Sequence, residues 1–470
     1  MNHSDSMRLN NSLFITFILT LVTYSCYSRN TVSPLSYGVL KAKNGVERYE
    51  ALMRCHKDAS TNGYGVDYHG IDSLFLEIPQ NAESIPLSNF TDFAGVTIVV
   101  FNRTHEMSLF AKMNIFEEMY VKGQDIDDGQ YSNYPNLKRG AFLLSIEDKT
   151  PWTERIGYTY NAVRRDIMMI NNGKSKDRPI SSYITPASRP QCMYCKADLG
   201  KKEIKNIYFV RSKQSTKKTY FIYLDGQYNV EINNVRIYTP IVHREYGDRA
   251  INISNSYAVS LKNVNIEGTY SQKDRYGYGI NMNNVNRLEV VGMKAAANWG
   301  VFGTSNLQNV SLINSNINRF DIHCYGRNVI FENCKFMNEY NQFSSMFGEV
   351  RFENCNFYEC TPFLLEASYD AYPKFKLVFK NCRIYAAEKK NALIVANGLH
   401  GGRTKGRSEL RKQEFPDVYI DGLKIYLQND VCEYYIYKIG RKMMGLPQDI
   451  IPGVRDVKDV IVNRNFNNND

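Results

Sequence analysis

One phrase recurs along the chain: apolar, any, apolar, any, any, apolar, any, apolar. It runs through Val230, Ile232, Val235, Ile237 and returns at Val259, Leu261, Val264, Ile266. Looser copies are Leu288, Val290, Met293 and Val310, Leu312, Ile317. Tight copies follow at Val329, Phe331, Cys334, Phe336, at Val350, Phe352, Cys355, Phe357, and at Leu377, Phe379, Cys382, Ile384. A late copy is Val418, Ile420, Leu423, Ile425, with Val460 and Val462 as a terminal fragment. Each half alternates with period two, so it predicts a short strand with one buried face. Asn or a small residue fills the break between halves, which is turn chemistry.

A third alternating run precedes many copies: "AINIS", "GINMN", "DIHCY", "LLEAS". Successive copies start 29, 29, 22, 19, 21, 27 and 41 residues apart. Three short strands per repeat, with a minimum near twenty residues, predict an all-β fold: a right-handed parallel β-helix. Leucine-rich repeats need a steadier period, and propeller blades need about forty residues per unit. Stacked coils would place Cys334, Cys355 and Cys382 in one internal ladder and Asn333, Asn354 and Asn381 in another at the turn. Buried free cysteine behaves as a small hydrophobe, so the first ladder reads as core.

The rest of the chain is less regular. "GVERYEALMRCHKDA" (Gly45 to Ala59) has helical spacing and precedes a Gly-rich turn. "VDYHGIDSLFLEIP" and "FAGVTIVVFN" read as strands. A helix and early strands over 27–110 would cap the open end of a solenoid spanning 27–470. Residues 1–26 read as an export signal, with Arg8 before the apolar run "SLFITFILTLVTYSC". Cys26 closes that run as in a loose lipobox and is a candidate lipidation site. The expected location is the bacterial periplasm, the outer-membrane surface or the medium. Cys192 and Cys195 form a lone CxxC without a second pair, so a local structural role is expected.

The 470 residues carry 58 Lys and Arg against 48 Asp and Glu, a formal charge of +10. That excess suits an anionic partner. Scattered basic residues and an export signal argue against nucleic acid, leaving acidic polysaccharide. A membrane would be met only through the N-terminal lipid.

The cap and the later coils resemble pectate-lyase-like β-helix proteins. "NWGVFGT" followed by "NRFDIHCYG" further resembles the exported β-helix proteins that gut Bacteroidetes use on polysaccharides. The resemblance implies glycan cleavage, often by lyase chemistry. Its substrates include glycosaminoglycans such as chondroitin or dermatan sulfate and hyaluronan.

Chemistry is expected on the third strand of each coil. Alternation in "RFDIHCYG" directs Phe320, Ile322 and Cys324 inward and Arg319, Asp321, His323 and Tyr325 outward. Asn281, Asn283 and Glu366 extend the outward polar strip over neighbouring coils. The loops "HREYGDR" and "KDRYGYG", with "NWG", bring Arg244, Arg249, Lys273, Arg275, Tyr276, Tyr278 and Trp299 to one wall. Such a groove suits a polymer, since aromatic rings stack on sugars and guanidinium groups pair with carboxylate or sulfate.

For β-elimination at a uronate, Arg319 would neutralise the carboxylate, assisted by Arg275 or Lys273. His323 would be the base, Tyr325 or Tyr278 the acid, and Asp321 would orient His323. A hydrolase would instead need two carboxylates; Asp321 with Glu366, or Asp248 or Asp274, are the available ones. A non-catalytic glycan-binding protein would use the same groove. No cofactor is expected, and no clustered carboxylate motif signals a divalent cation.

Overall fold

In the computed structural model, the chain is a right-handed parallel β-helix closed at one end by a helix. Described are residues 30–153, 162–184, 189–239, 249–268, 278–297, 300–337, 340–366, 375–386, 390–397, 416–428, 432–439, 442–444 and 454–464. The export segment with Cys26, the residues Arg244, Lys273, Arg275, Tyr276 and Trp299, and the side chain of Glu366 lie outside them.

The repeated phrase is the register of the solenoid. Val230 pairs with Val259, then Leu288, Val310, Val329, Val350, Leu377 and Val418. The second apolar position of each copy stacks in the same way. Phe331, Phe352 and Phe379 lie face to face, with centroids 4.8 and 5.2 Å apart. We call this face A. Face B carries the second half of the phrase, where Ile317, Phe336, Phe357, Ile384 and Ile425 stack. Face C carries the third run. In the last coil Val454 and Val457 follow the face A ladder, and Val462 follows face B. Cys334, Cys355 and Cys382 are fully buried in the shared core.

The corners explain the asparagines. Asn234, Asn263, Asn314, Asn333, Asn354 and Asn381 all have positive φ between faces A and B. Asparagine tolerates that left-handed region better than branched residues do. The chain therefore turns while Asn333 and Asn354 still donate backbone hydrogen bonds to the next coil, at 3.0 and 2.9 Å.

The cap is α1 (Gly45–Asn62). Asn44 accepts from the Glu47 N–H, and Glu47 accepts in return from the Lys43 N–H, tying down the first turn. Gly63 ends the helix at φ 70°. Tyr49, Leu52, Cys55, His56 and Ala59 are buried against the first coils. Within this cap His56 bridges the Pro86 carbonyl (3.0 Å) and the Tyr68 hydroxyl (2.8 Å). Burial holds its imidazole down at about 4.

An antiparallel sheet interrupts the early coils, a feature absent from the sequence-based expectation. Its strands are β1 (Glu117–Met119), β2 (Ala141–Thr153), β3 (Ala162–Asn171) and β4 (Pro190–Lys196), in the order β3-β2-β4-β1. Cys192 and Cys195 sit on β4 in different apolar clusters, so the CxxC is neither a bridge nor a ligand pair. The insert docks on the corner between faces C and A. Asn284 and Asn286 donate to the carbonyls of Asp166 and Ile167, and Asn306 accepts from the Arg165 N–H.

Candidate functional site

Face C carries one outward ladder that changes character halfway along. Tyr223, Asn252, Asn281, Gly303, Asp321 and Gln342 occupy equivalent positions in successive coils. Asn281 donates to Asn252 at 2.8 Å, continuing the amide row. At Gly303 the row has no side chain, and the ring of Tyr278 lies over that gap. A β-carbon at Gly303 would overlap the ring, and one at Gly300 would press on it at 3.1 Å. Glycine inside a strand marks such a close approach.

Through the gap, Tyr278 reaches past the Gly303 coil to the one after it. Its hydroxyl donates to Asp321 Oδ2 at 2.5 Å and lies 2.9 Å from His323 Nε2. The two rings meet edge to face with centroids 5.4 Å apart. His323 Nε2 is 3.8 Å from Asp321 Oδ2, so the phenol bridges the two. The expected orienting of His323 by Asp321 therefore runs through Tyr278.

Arg319 departs from its expected role. It points away from the solenoid core, as alternation predicts, yet is only 1% exposed. Its Nε donates to Asp321 Oδ1 at 2.7 Å and its Nη2 lies 2.6 Å from Oδ2. Nη2 also donates to Gln342 Oε1 at 3.2 Å, and the guanidinium lies 4.1 Å from the Tyr340 ring centre. Burial opposes its charge, but the Asp321 carboxylate more than offsets this and holds its pKa above the usual range. The guanidinium is committed to Asp321 and does not face a substrate carboxylate.

Tyr325 is a correction. The strand ends at Ile322, and Tyr325 takes the corner position held by Asn255, Asn284 and Asn306 in earlier coils. Its φ is +56° and its side chain is fully buried. It packs with Ile180 of the insert and Cys324, which consequently lies outside the main core. Tyr278 is thus the accessible phenol, and Tyr325 is not an acid candidate.

The remaining expected residues divide. Asn283 accepts from Asn306 at 3.2 Å and braces the corner. Arg249 lies beside Tyr220, one coil before Tyr278 in the face C register. Asp321, the strand member of the hydrolase pair, is fully buried and also accepts from the Gln342 N–H at 3.2 Å. Among the described residues, no group of three His, Cys, Asp or Glu could hold a metal ion. No described helix is long and apolar enough to cross a membrane. Sequence reading missed Tyr340 and Gln342, which cover Arg319, and Gly303, whose signal was a glycine inside the run "GVFGTS".

The cluster can move protons at a surface. A half-buried imidazole and a phenol share a hydrogen bond, and a buried carboxylate fixes the phenol from behind.

No protein-family model matches the chain, and no curated protein sequence matches it. Solved structures do. The tailspike gp61 of Pseudomonas phage phi297 aligns over 89% of this chain and 79% of its own, with 10% identity and a TM-score of 0.51. The gp54 tailspike of Acinetobacter baumannii bacteriophage AP22, solved in complex with A. baumannii capsular saccharide, aligns over 92% and 76%, with 12% identity and a TM-score of 0.50. Both are phage proteins rather than the pectate-lyase-like or Bacteroidetes proteins that the sequence resembles, and the likeness is one of fold: the chain shares its parallel β-helix with tailspikes.

Proposed function

We propose that the chain is an exported enzyme that cleaves an acidic, uronate-containing polysaccharide by β-elimination. A glycosaminoglycan is the leading substrate class. The observation that carries this reading is the Tyr278 hydroxyl held between Asp321 and His323 on the outer face of the solenoid. The capsular saccharide in the AP22 tailspike complex supports a glycan as the partner of this fold. The formal charge of +10 supports an anionic one.

In the proposed reaction His323 takes the C5 proton of the uronate. The electron pair left at C5 forms the C4–C5 double bond as the C4–O bond breaks. Tyr278 gives its proton to the departing oxygen. Because the Tyr278 hydroxyl donates to Asp321, His323 takes the C5 proton on Nδ1 and passes its Nε2 proton along the 2.9 Å hydrogen bond to the Tyr278 phenolate. Release of the Nδ1 proton to water and uptake of one at Nε2 reset the pair. Asp321 and Arg319 hold Tyr278 in place and take no proton. Neutralising the substrate carboxylate is assigned to Lys273 and Arg275, which precede Tyr278 in the sequence. Elimination is favoured over hydrolysis because Asp321 is sealed behind Tyr278 and bonded to Arg319, whereas a hydrolase needs two carboxylates open to the sugar.

The test is a panel of uronate polymers incubated with the mature protein and followed in the ultraviolet. Unsaturated uronate ends are expected with at least one polymer. Reducing ends without unsaturation would show hydrolysis. Saturable binding without any product would show a glycan-binding protein.

A further inference from the structure

Beyond the corner that follows His323, the insert and three successive coils line a cleft of about 370 Å³. Lys176, Asp177 and Arg178, in the loop after β3, face Arg287, Gln308 and Arg327 on the coils. None of these residues belongs to the Tyr278 cluster.

The charges do not cancel. Asp177 accepts from the Tyr257 hydroxyl at 2.9 Å and from the Met169 N–H at 3.3 Å, and lies 3.5 Å from Arg287 Nη2. Arg327 is fixed by donating to the Pro179 carbonyl at 2.9 Å, and Arg178 donates to the Asp127 carbonyl. Among the described residues Lys176, Arg178 and Arg327 form no ion pair. Asp166 lies behind Gln308, already bonded to Tyr183, the Ile180 N–H and Gln308 Nε2 at 2.6, 2.8 and 2.6 Å. A second feature points to a ligand. Gln308 is 1% exposed, and its Oε1 has no hydrogen-bond partner although Nε2 is bonded. A buried carbonyl oxygen without a donor is unfavourable, and a hydroxyl entering the cleft would satisfy it.

We propose that this cleft binds an anionic sugar residue of a polysaccharide chain. Its carboxylate or sulfate pairs with Arg178, Arg327 and Lys176, and one of its hydroxyls donates to Gln308 Oε1. The cleft is a holding site for the polymer, separate from the bond-breaking site. Its ligand class rests on the acidic-glycan reading above and not on the elimination step.

The test titrates the mature chain carrying His323→Ala, which prevents turnover, with a chondroitin sulfate hexasaccharide. Maltohexaose and sodium sulfate are the controls. Lys176→Ala combined with Arg178→Ala is expected to weaken hexasaccharide binding roughly tenfold or more, consistent with lost charge-assisted bonds. Arg327→Ala tests the coil side independently of the loop. Gln308→Leu is expected to weaken the hexasaccharide and leave sulfate unaffected. Unchanged hexasaccharide affinity in both the double variant and Arg327→Ala overturns the proposal. So does equal binding of maltohexaose, and sulfate binding as tight as the hexasaccharide reduces the cleft to an oxyanion site and overturns the sugar assignment. A parent chain with His323 intact that gives no unsaturated product, while the double variant loses binding, overturns the elimination reading alone.

Discussion

Gly303 leaves the space in which the ring of Tyr278 lies, two coils' worth of sequence away from the carboxylate that the phenol reaches. Gly303→Ala would fit the strand backbone, since its φ is not in the left-handed region, but its β-carbon would overlap the ring. The ring must then shift, and displacements of about 1 Å at a reacting group cost about a hundredfold in rate. The expected outcome is a loss of kcat on that scale with a lowered thermal midpoint, since forcing the ring aside costs about 1–3 kcal/mol. Steady-state kinetics with the polymer identified in the uronate panel, beside a melting curve, checks it.

Tyr278→Phe separates the hydroxyl from the ring. The ring still fills the gap, so the coil is preserved. The proposed acid is gone, and activity is expected to fall by about two to four orders of magnitude. Asp321 also loses a buried donor, which costs about 1–3 kcal/mol of stability. His323→Ala should match the rate loss without the stability loss, because His323 is 24% exposed. Equal activity of either variant and the parent would remove the proposed chemistry.

The stacking order was legible because it is periodic. Val329, Val350 and Leu377 share one ladder, as the repeated phrase predicts, and the asparagines after them sit at positive-φ corners. Arg319 and Asp321 were legible as outward-pointing but not as covered. Their cover comes from Tyr278, Tyr340 and Gln342, which only the coil register brings near. Tyr325 failed for the opposite reason. Alternation was carried past Ile322, where the strand stops and a corner begins. The insert has no repeat to announce it, and its buried Arg164–Asp148 pair at 2.8 Å rests on the antiparallel register of β3 with β2.

Arg319 supports Asp321, so its removal should be felt as instability. Arg319→Met leaves a buried carboxylate without its cation, and breaking a buried pair on one side costs about 3–5 kcal/mol. Adding Asp321→Asn removes the orphaned charge and should restore part of that loss. Denaturant unfolding of the single and double variants checks the coupling. A merely additive double variant would show that the pair acts independently. A substrate clamp would instead raise KM and leave stability alone.

His56 and Asp166 should respond to pH with opposite signs. Burial lowers His56 from 6.5 to about 4. Its contribution is complete above the unfolded value and is lost as pH falls from 6.5 towards 4. Burial raises Asp166 from 3.8 to about 6, despite its hydrogen bonds from Tyr183 and the Ile180 N–H. Its contribution is complete below 3.8 and is lost as pH rises through 6. Each amounts to about 3 kcal/mol over its window, so the two largely cancel in the parent. Asp166→Asn should unmask the cap, making stability fall steeply on acidification below pH 6.5. His56→Gln should unmask the insert, making stability rise over the same range. Denaturant midpoints measured at half-unit steps from pH 4 to 7 distinguish the two, and parallel curves for both variants would show that neither group titrates as its burial requires.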